Sequence, residues 1–384
     1  MEIVKHLATN IGFRLAGSKG EKTAAKYVAS KFEELGLDVR LERFNFIGWE
    51  LLDEPVIEFL SPKKERVVCA PNIFSSSTPE GGAEGILKLV GKTRRGEPNE
   101  SDKYAIMSNN GEELAYVIAT NQPMARNSVH DIRFPFPEVN VDIETKEILK
   151  SFRKEGKKIR MRLQLRTKID PQAVSYNVIG TLEGEDPDRI IIITSHHDAQ
   201  VNTVGANDNA AGIEILYNIA QEFVKKKPSK TIKFCSFGCE EIGLFGSRYY
   251  ANRLKETGDL KKVEFVLCYD EVGRIEQAHR FRATSEWLQM KLNNILDSVE
   301  ANEKLGEDLI QPFPSKWMIR AFGSDHAAFV EEGIPAISIG GGQSIPPYSH
   351  SGSSGDRDTL DKVSPDIIEC KTDVGLKILE EIGV

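Results

Sequence analysis

The chain has 384 residues, with 50 Lys and Arg against 58 Asp and Glu, so its formal net charge is -8 at pH 7. This length exceeds what one hydrophobic core usually supports, and we expect either two domains or one large domain with a sizeable insert. An acidic balance disfavours binding along a phosphate backbone, so nucleic acid is excluded as an expected partner.

The hydropathy and the start of the chain bear on its location. No apolar run reaches the roughly 18 residues that a membrane helix needs, so we expect no membrane partner. The first residues, MEIVKHLATNIGFRLAG, lack a charged leader followed by a long apolar stretch, which indicates a cytoplasmic protein. A mature secreted fragment carrying an added Met would begin in the same way, so secretion stays open as the alternative.

Two local patterns precede residue 170. Apolar residues at helical spacing, with Ser18 and Glu21 placed as a capping box, predict an amphipathic helix that ends near Gly36. From about residue 46 the chain changes to short strand-like pieces separated by Gly, Pro, Asn and Ser. The segment KIRMRLQLRTKI alternates strictly between apolar and polar residues, which is typical of a half-exposed strand. We therefore predict a small β-rich insert over 46–169, with one helix near 142–155.

The rest of the chain has the pattern of an α/β sheet. Short apolar runs, as expected for strands covered on both faces, occur at 189–195, 230–237, 263–270 and 335–340. Helical patterns separate these runs, in the segment AAGIEILYNIAQEF and at 285–302, and another closes the chain at 366–382. This order predicts an α/β fold with a mixed, largely parallel sheet and helices on both faces. We assign residues 1–45 and 170–384 to this domain and 46–169 to the inserted domain.

Polar residues follow the predicted strands at one edge of this sheet. Because ligands bind beyond the carboxyl ends of parallel strands, these side chains are the candidates for a site. They come from consecutive elements: His196, His197 and Asp198; Asn207, Asp208 and Asn209; Glu240 and Glu241; Asp270 and Glu271. Imidazole with carboxylate favours zinc, with cobalt or manganese as substitutes, over calcium, which takes oxygen ligands. His350, in a Ser- and Gly-rich loop, is a candidate because the set needs a fifth ligand.

Several motifs carry a resemblance to a known family. They are SHHDA around His196, GANDNAAG (205–212), EEIGLFGSRYY (240–250), YDEVG (269–273), GSDHAAF (323–329) and YSHSGSSGDRDTLDKV (348–363), with IGFRLAGS at 11–18. In this order they resemble the M28 family of dizinc exopeptidases, which includes bacterial aminopeptidases and the plasma glutamate carboxypeptidase type. The resemblance covers residues 8–45 and about 174–384, and it implies a zinc exopeptidase-like fold.

The resemblance implies a role for each candidate residue. It implies two zinc ions per chain, with His196 and Asp270 for one ion, Glu241 and His350 for the other, and Asp208 bridging both. Asp198 would orient the ring of His196 through its other nitrogen. Glu240 would be the general base that activates water and protonates the leaving amine. The loop after His350 is longer than usual in the family, and Asp358 matches the family's final Asp better than Asp356.

The sequence leaves several functions open. We expect an aminopeptidase acting on peptides, and the alternative within the family is a dipeptide-cleaving carboxypeptidase, for which Lys316, Arg320 or Arg357 could hold the substrate carboxylate. A single-zinc acyltransferase resembling glutaminyl cyclases has the same fold, and a binding domain that lost the chemistry is the third alternative. The insert resembles the protease-associated insert of some family members, and it supplies no ligand. A homodimer stays open.

Overall fold

The computed structural model describes the chain apart from a few segments. The gaps are residues 94–99, 122–128, 130–133, 202, 275–276, 302–304, 306–309, 312–322 and 345–357, and only the backbone is described for 277–278, 310–311 and 342–344. Within the described part, no helix is both long enough and apolar enough to cross a membrane.

Strands dominate the described chain up to His196, and strands and helices alternate after it. In chain order, the strands are β1 (Asp38–Leu51), β2 (Val56–Ser61), β3 (Glu65–Val67), β4 (Cys69–Pro71), β5 (Ala83–Thr93), β6 (Ser101–Met107), β7 (Glu113–Ala119), β8 (Glu138–Val141), β9 (Arg160–Gln164), β10 (Thr167–Leu182), β11 (Asp186–His196), β12 (Lys230–Phe237), β13 (Val263–Asp270), β14 (Gln277–Ala283), β15 (Ile310–Gln311) and β16 (Ala336–Ser344). The helices are α1 (Glu2–Lys5), α2 (Lys19–Glu34), α3 (Ile143–Lys154), α4 (Ala211–Phe223), α5 (Phe245–Thr257), α6 (Glu286–Ser298), α7 (Ala327–Val330) and α8 (Pro365–Glu381), with helical turns at His6–Ile11, Ala206–Ala210, Leu260–Lys262 and Leu360–Lys362.

The first sheet contains eight described strands in the order β1-β10-β12-β11-β13-β16-β14-β15. Its four central strands, β12, β11, β13 and β16, run parallel to one another. The strands β1, β10 and β14 add antiparallel pairs on either side. The predicted mixed, largely parallel sheet is confirmed.

Helices cover both faces of this sheet because the central strands are apolar on both faces. On β11, Ile191 and Ile193 belong to an apolar core that also contains residues of α2, α4, α6 and α8. Ile190 and Ile192, which alternate with them, belong to a second core with residues of α5 and α7. Alternate side chains of a strand point to opposite faces, so this run of isoleucines fixes β11 in the middle of the layers.

The predicted capping box of α2 is half formed. The Ser18 hydroxyl accepts a hydrogen bond from the Glu21 amide at 3.1 Å, as predicted. The Glu21 carboxylate binds instead to the Gly17 amide at 2.7 Å and to the Ser175 hydroxyl of β10. These bonds fix the helix against the sheet, and burial raises the pKa of the Glu21 carboxyl group to about 8.

The second sheet contains eight described strands in the order β3-β2-β9-β5-β6-β7-β8-β4 and is accompanied by α3. The apolar residues of the alternating segment are buried in its core, as predicted: Ile159, Met161, Leu163 and Leu165. The strands of this sheet run from Val56 to Gln164, because β1 and β10 belong to the first sheet. The division of the chain into two domains stays a prediction.

A loop of the second sheet packs close to the predicted site. Ile73 and Phe74 lie in one apolar cluster with Val201, Cys239 and Ile242 of the first-sheet loops. Phe74 is 4 % exposed and has a φ of 70°, a conformation that is strained for a bulky side chain. The loop is therefore held in place by packing, and it covers the apolar side of the turn that carries the two candidate Glu residues.

Candidate metal centre

Parallel strands bring the candidate residues to one edge of the first sheet. β11 ends at His196 and β13 ends at Asp270, and these two strands are neighbours. β12 lies on the other side of β11 and ends three residues before Glu240. Because these strands are parallel, their carboxyl ends lie side by side, as the sequence predicts.

The ring of His196 lies at the centre of a group of carboxylates. Its Nε2 atom is 3.3 Å from Asp208 Oδ1, 3.3 Å from Asp270 Oδ1 and 4.0 Å from Glu240 Oε2. Two sets of potential metal-ligand atoms each lie within 4.8 Å of one another: His196, Asp208 and Glu241, and His196, Glu240 and Asp270. Each predicted metal ligand in the described part, and the predicted base Glu240, is a member of one of these sets.

Asp198 joins the His196 loop to the turn with the two Glu residues. Its carboxylate is buried and accepts hydrogen bonds from the amides of Glu240 at 3.1 Å and Glu241 at 3.2 Å. His196 Nδ1, the ring nitrogen on the side away from Asp208 and Asp270, lies 3.2 Å from the backbone carbonyl oxygen of Asp198 and 3.4 Å from its Oδ1 atom. Asp198 therefore orients the imidazole through its carbonyl and carboxylate oxygens, and its carboxylate fixes the backbone of both Glu residues.

Asp358 holds the segment that carries Asp208. It is 1 % exposed, and its carboxylate accepts hydrogen bonds from the amides of Asn207 at 2.6 Å and Asp208 at 2.8 Å. Burial and, to a smaller extent, the nearby Asp208 raise the pKa of Asp358 to about 7. The Asp that follows the long loop thus positions a candidate ligand through the backbone.

The carboxylates of the site are crowded in a way that favours a bound cation. Burial raises the pKa of Glu240 and of Glu241 well above the usual range, and neighbouring carboxylates raise both further. Burial also raises the pKa of Asp208, and Asp270 adds to this. The buried Oε1 atom of Glu241 has no hydrogen-bond partner among the described residues. Crowded, desolvated carboxylates around an imidazole repel one another unless a cation neutralises them, and this donor set suits zinc.

The remaining predicted residues lie outside the described part. His350, the proposed fifth ligand, falls in 345–357, the segment that follows β16 in the chain. The basic candidates for a carboxylate site are also outside the described residues: Lys316, Arg320 and Arg357. Their roles stay predictions.

Sequence reasoning missed the residues that act through the backbone. Arg14 lies in the IGFRLAGS motif, which contributed to the family resemblance without any role for this side chain. In the structure it is fully buried beside the candidate ligands and donates hydrogen bonds to carbonyl oxygens. The only signal in the sequence is an Arg in a Gly-containing motif, because the carbonyl groups that it binds are present in every residue.

Comparison with known proteins identifies the family. A model of peptidase family M28 matches residues 177–378, which is more than half of the chain. The chain belongs to peptidase family M28. This M28 peptidase is a metallo-exopeptidase that uses zinc. Each predicted metal ligand and the predicted base lie inside the matched residues.

Relatives of this M28 peptidase match nearly its whole length. Aminopeptidase YwaD of Bacillus subtilis is 28% identical over 379 residues, covering 91% of the chain and 77% of the relative. The structure of BSAP, a zinc aminopeptidase from Bacillus subtilis, has a TM-score of 0.72 at 21% identity, covering 99% of this chain and 93% of the other. A peptidase M28 precursor from Shewanella amazonensis has a TM-score of 0.74 at 21% identity, covering 98% and 91%. These two structures have the same fold.

Proposed function

We propose that this metallo-exopeptidase is an aminopeptidase that binds two zinc ions per chain. The observation that carries the proposal is the convergence of His196 with two carboxylates, each 3.3 Å from its Nε2 atom. Similarity to aminopeptidase YwaD across 91% of the chain supports the choice of substrate terminus. The region aligned with YwaD includes the insert. We therefore infer that the activity requires the whole chain.

We assign the ligands by their position in the motifs. His196 and Asp270 would hold one ion, Glu241 and His350 the other, with Asp208 shared between them. Distances do not distinguish the two Glu residues, since each belongs to one of the sets around His196. Asp198 does not distinguish them either, because its carboxylate binds the backbone amides of both residues. The direction of each side chain is set by the conformation of the turn.

The chain's own residues supply the proton transfers. Zinc, when bound, would polarise the scissile carbonyl and make a water molecule more acidic. Glu240 then accepts a proton from the attacking water at Oε2 and donates it to the nitrogen of the leaving amine. Its side chain is 11% exposed, so it can reach substrate while bulk water is largely excluded. Asp198 keeps the imidazole of His196 oriented during both transfers.

The charge of the site favours a substrate amino group over a substrate carboxylate. The described edge presents carboxylates, and the Asp270 side chain is 22% exposed there. Zinc would neutralise the carboxylates that bind it, but carboxylates that do not bind metal would still attract a positively charged amino terminus, whereas a terminal carboxylate would need a basic residue to hold it.

The proposal is tested first by metal content. After chelation and titration with zinc, we expect about two equivalents to bind per chain, as in co-catalytic sites. One equivalent at saturation would contradict the two-ion proposal and favour a single-zinc enzyme resembling the cyclases. The chelated protein is the matched control, and it should be folded and inactive.

A panel of tripeptides tests the direction of attack. Unblocked and C-amidated peptides should be cleaved, whereas N-acetylated peptides should not, because acetylation removes the positive charge of the amino group. Product analysis by mass spectrometry identifies the residue released. Cleavage of N-acetylated peptides together with resistance of C-amidated ones would identify a carboxypeptidase instead.

A further inference from the structure

Arg14 makes an unusually complete set of hydrogen bonds. The residue is 0% exposed, and it lies between the helical turn at His6–Ile11 and α2. Its guanidinium donates from Nε to His197 O at 2.9 Å, from Nη1 to Leu7 O at 3.1 Å, Gly12 O at 3.0 Å and Val204 O at 2.6 Å, and from Nη2 to Gly205 O at 2.9 Å. All five acceptors are backbone carbonyls, so the side chain ties segments of backbone together.

Two of these segments carry proposed metal ligands. His197 lies directly between His196 and Asp198, and its carbonyl accepts from Nε. Gly205 immediately precedes the helical turn Ala206–Ala210, which contains Asp208. One planar guanidinium, with its donors in a fixed fork, therefore sets the distance between the two loops.

The loop at Gly205 is shaped to approach Arg14 closely. Gly205 has a φ of 54°, and a Cβ atom there would lie 2.8 Å from Arg14 Nη2 and 2.5 Å from Asp208 O. A side chain would push the loop away from the guanidinium. In the other direction, the Arg14 carbonyl accepts a hydrogen bond from Ala199 N at 3.2 Å, so the contact is fixed from both sides.

Arg14 also places a positive charge beneath the carboxylates. Burial lowers the pKa of Arg14 to about 10, while Asp358, Asp198, Asp208 and Glu241 oppose this effect. The guanidinium is therefore charged at neutral pH. A buried cation at this position reduces the repulsion among the acids in the metal-free chain.

We propose that Arg14 is a positioning residue that fixes the separation of His196 and Asp208 before metal binds. The inference rests on the proposed ligand roles of these two residues. The five hydrogen bonds of the Arg14 guanidinium go to backbone carbonyls, so it acts through the two backbone segments and not as a ligand. Because it lies before residue 177, the ligand-bearing part of the chain depends on a segment outside the matched family region.

The Arg14→Lys variant separates geometry from charge. Lysine keeps the positive charge but has one ammonium group in place of the fork, so it cannot reach both loops. We expect zinc affinity, measured by competition with a chelator, to fall by about 10- to 100-fold, as for other residues that orient metal ligands. Turnover should fall with little change in KM. Amide hydrogen exchange over 204–210 in the zinc-free protein should become faster.

Chemical rescue tests the same idea without relying on lysine. Arg14→Ala leaves a cavity lined by the five carbonyls, and added guanidinium at low, non-denaturing concentration should restore part of the zinc affinity and slow the amide exchange again. Arg253→Ala is the matched control, because Arg253 is paired with Glu42 of β1 and not with the ligand loops. Zinc affinity of the control should be unchanged, with or without guanidinium.

The outcomes distinguish this proposal from the proposed function. If the wild-type chain binds fewer than two zinc ions, the proposed function fails whatever the Arg14 variants do. If wild type binds two and folded Arg14→Lys binds them with affinity and exchange rates within about twofold of wild type, a range well below the loss expected for a ligand-orienting residue, Arg14 is not a positioning residue. Should Arg14→Ala fail to fold, the Arg14→Lys measurements decide alone.

Discussion

Replacing Glu240 by Gln is expected to lower kcat by about 100- to 10,000-fold, the usual contribution of general-base catalysis. The amide is nearly isosteric with the carboxylate but cannot accept the proton of the attacking water. Both zinc ions should remain bound, and KM should change little. Steady-state kinetics combined with zinc analysis of the same sample measures both quantities.

Glu241→Gln is the matched comparison, because the two residues are neighbours with the same side chain. Both amides are held by Asp198, so either substitution leaves the turn intact. Glu241→Gln should weaken zinc binding, and excess zinc should restore part of its activity. Excess zinc should have no effect on Glu240→Gln.

The two Glu residues could exchange roles, and the experiment would reveal it. Glu240 lies in the set with His196 and Asp270, so its carboxylate is also within reach of a metal. If Glu240→Gln loses zinc while Glu241→Gln keeps it and is inactive, the assignment is reversed. If Glu240→Gln keeps both ions and more than about a tenth of wild-type turnover, Glu240 is not the base on these magnitudes.

The fold could be predicted where a short run of neighbouring residues shows by itself that the segment is buried. The isoleucines of β11 are buried on both faces, and such runs predict central strands. The pairing of β1 with β10 was not predicted, since Asp38 pairs with Thr181 and Leu51 with Thr167 across the whole insert. Pairing between distant strands depends on which strands meet in space. The sequence of β1 does not indicate that β10 is its partner, and the sequence of β10 does not indicate β1.

The same distinction applies to the site. His196 and Asp270 were predicted because they end strands, and the parallel sheet brings strand ends together. The support provided by Asp358 and Arg14 was not predicted, because both bind backbone groups that every residue possesses. Residues that bind metal can be recognised in the sequence by their residue type and position. Residues that support them through backbone hydrogen bonds cannot.

Lys371 is a buried lysine whose amino group has no counter-ion in hydrogen-bonding distance among the described residues. It lies on α8, is 0% exposed, and its Nζ atom has no hydrogen-bond partner among the described residues. Burial lowers the pKa of Lys371 to about 7, although Cys370 and Glu271 oppose the shift. Burial, together with the charge of Lys371, lowers the pKa of His279 to about 2. Both groups are therefore neutral in the folded protein above neutral pH.

This lysine should make the folded state less stable as pH falls. Between about pH 7 and the unfolded pKa of 10.5, the unfolded chain binds the proton and the folded chain does not. The contribution of Lys371 to the free energy of unfolding therefore rises with pH across this window, by up to about 1.4 kcal/mol per pH unit. Below pH 7 both states are protonated and the contribution is constant.

We expect Lys371→Met to be more stable than wild type at pH 7, with the difference shrinking towards pH 10. Methionine fills a similar volume without a charge to desolvate. Urea unfolding of both proteins from pH 6.5 to 9.5 measures the difference, and subtraction removes the titration of groups that both chains share. Lys377→Met, an exposed position on the same helix paired with Glu380, controls for helix propensity and should follow wild type at every pH. A wild-type stability that equals or exceeds that of Lys371→Met at pH 7 would show that Lys371 is charged and paired in the folded state.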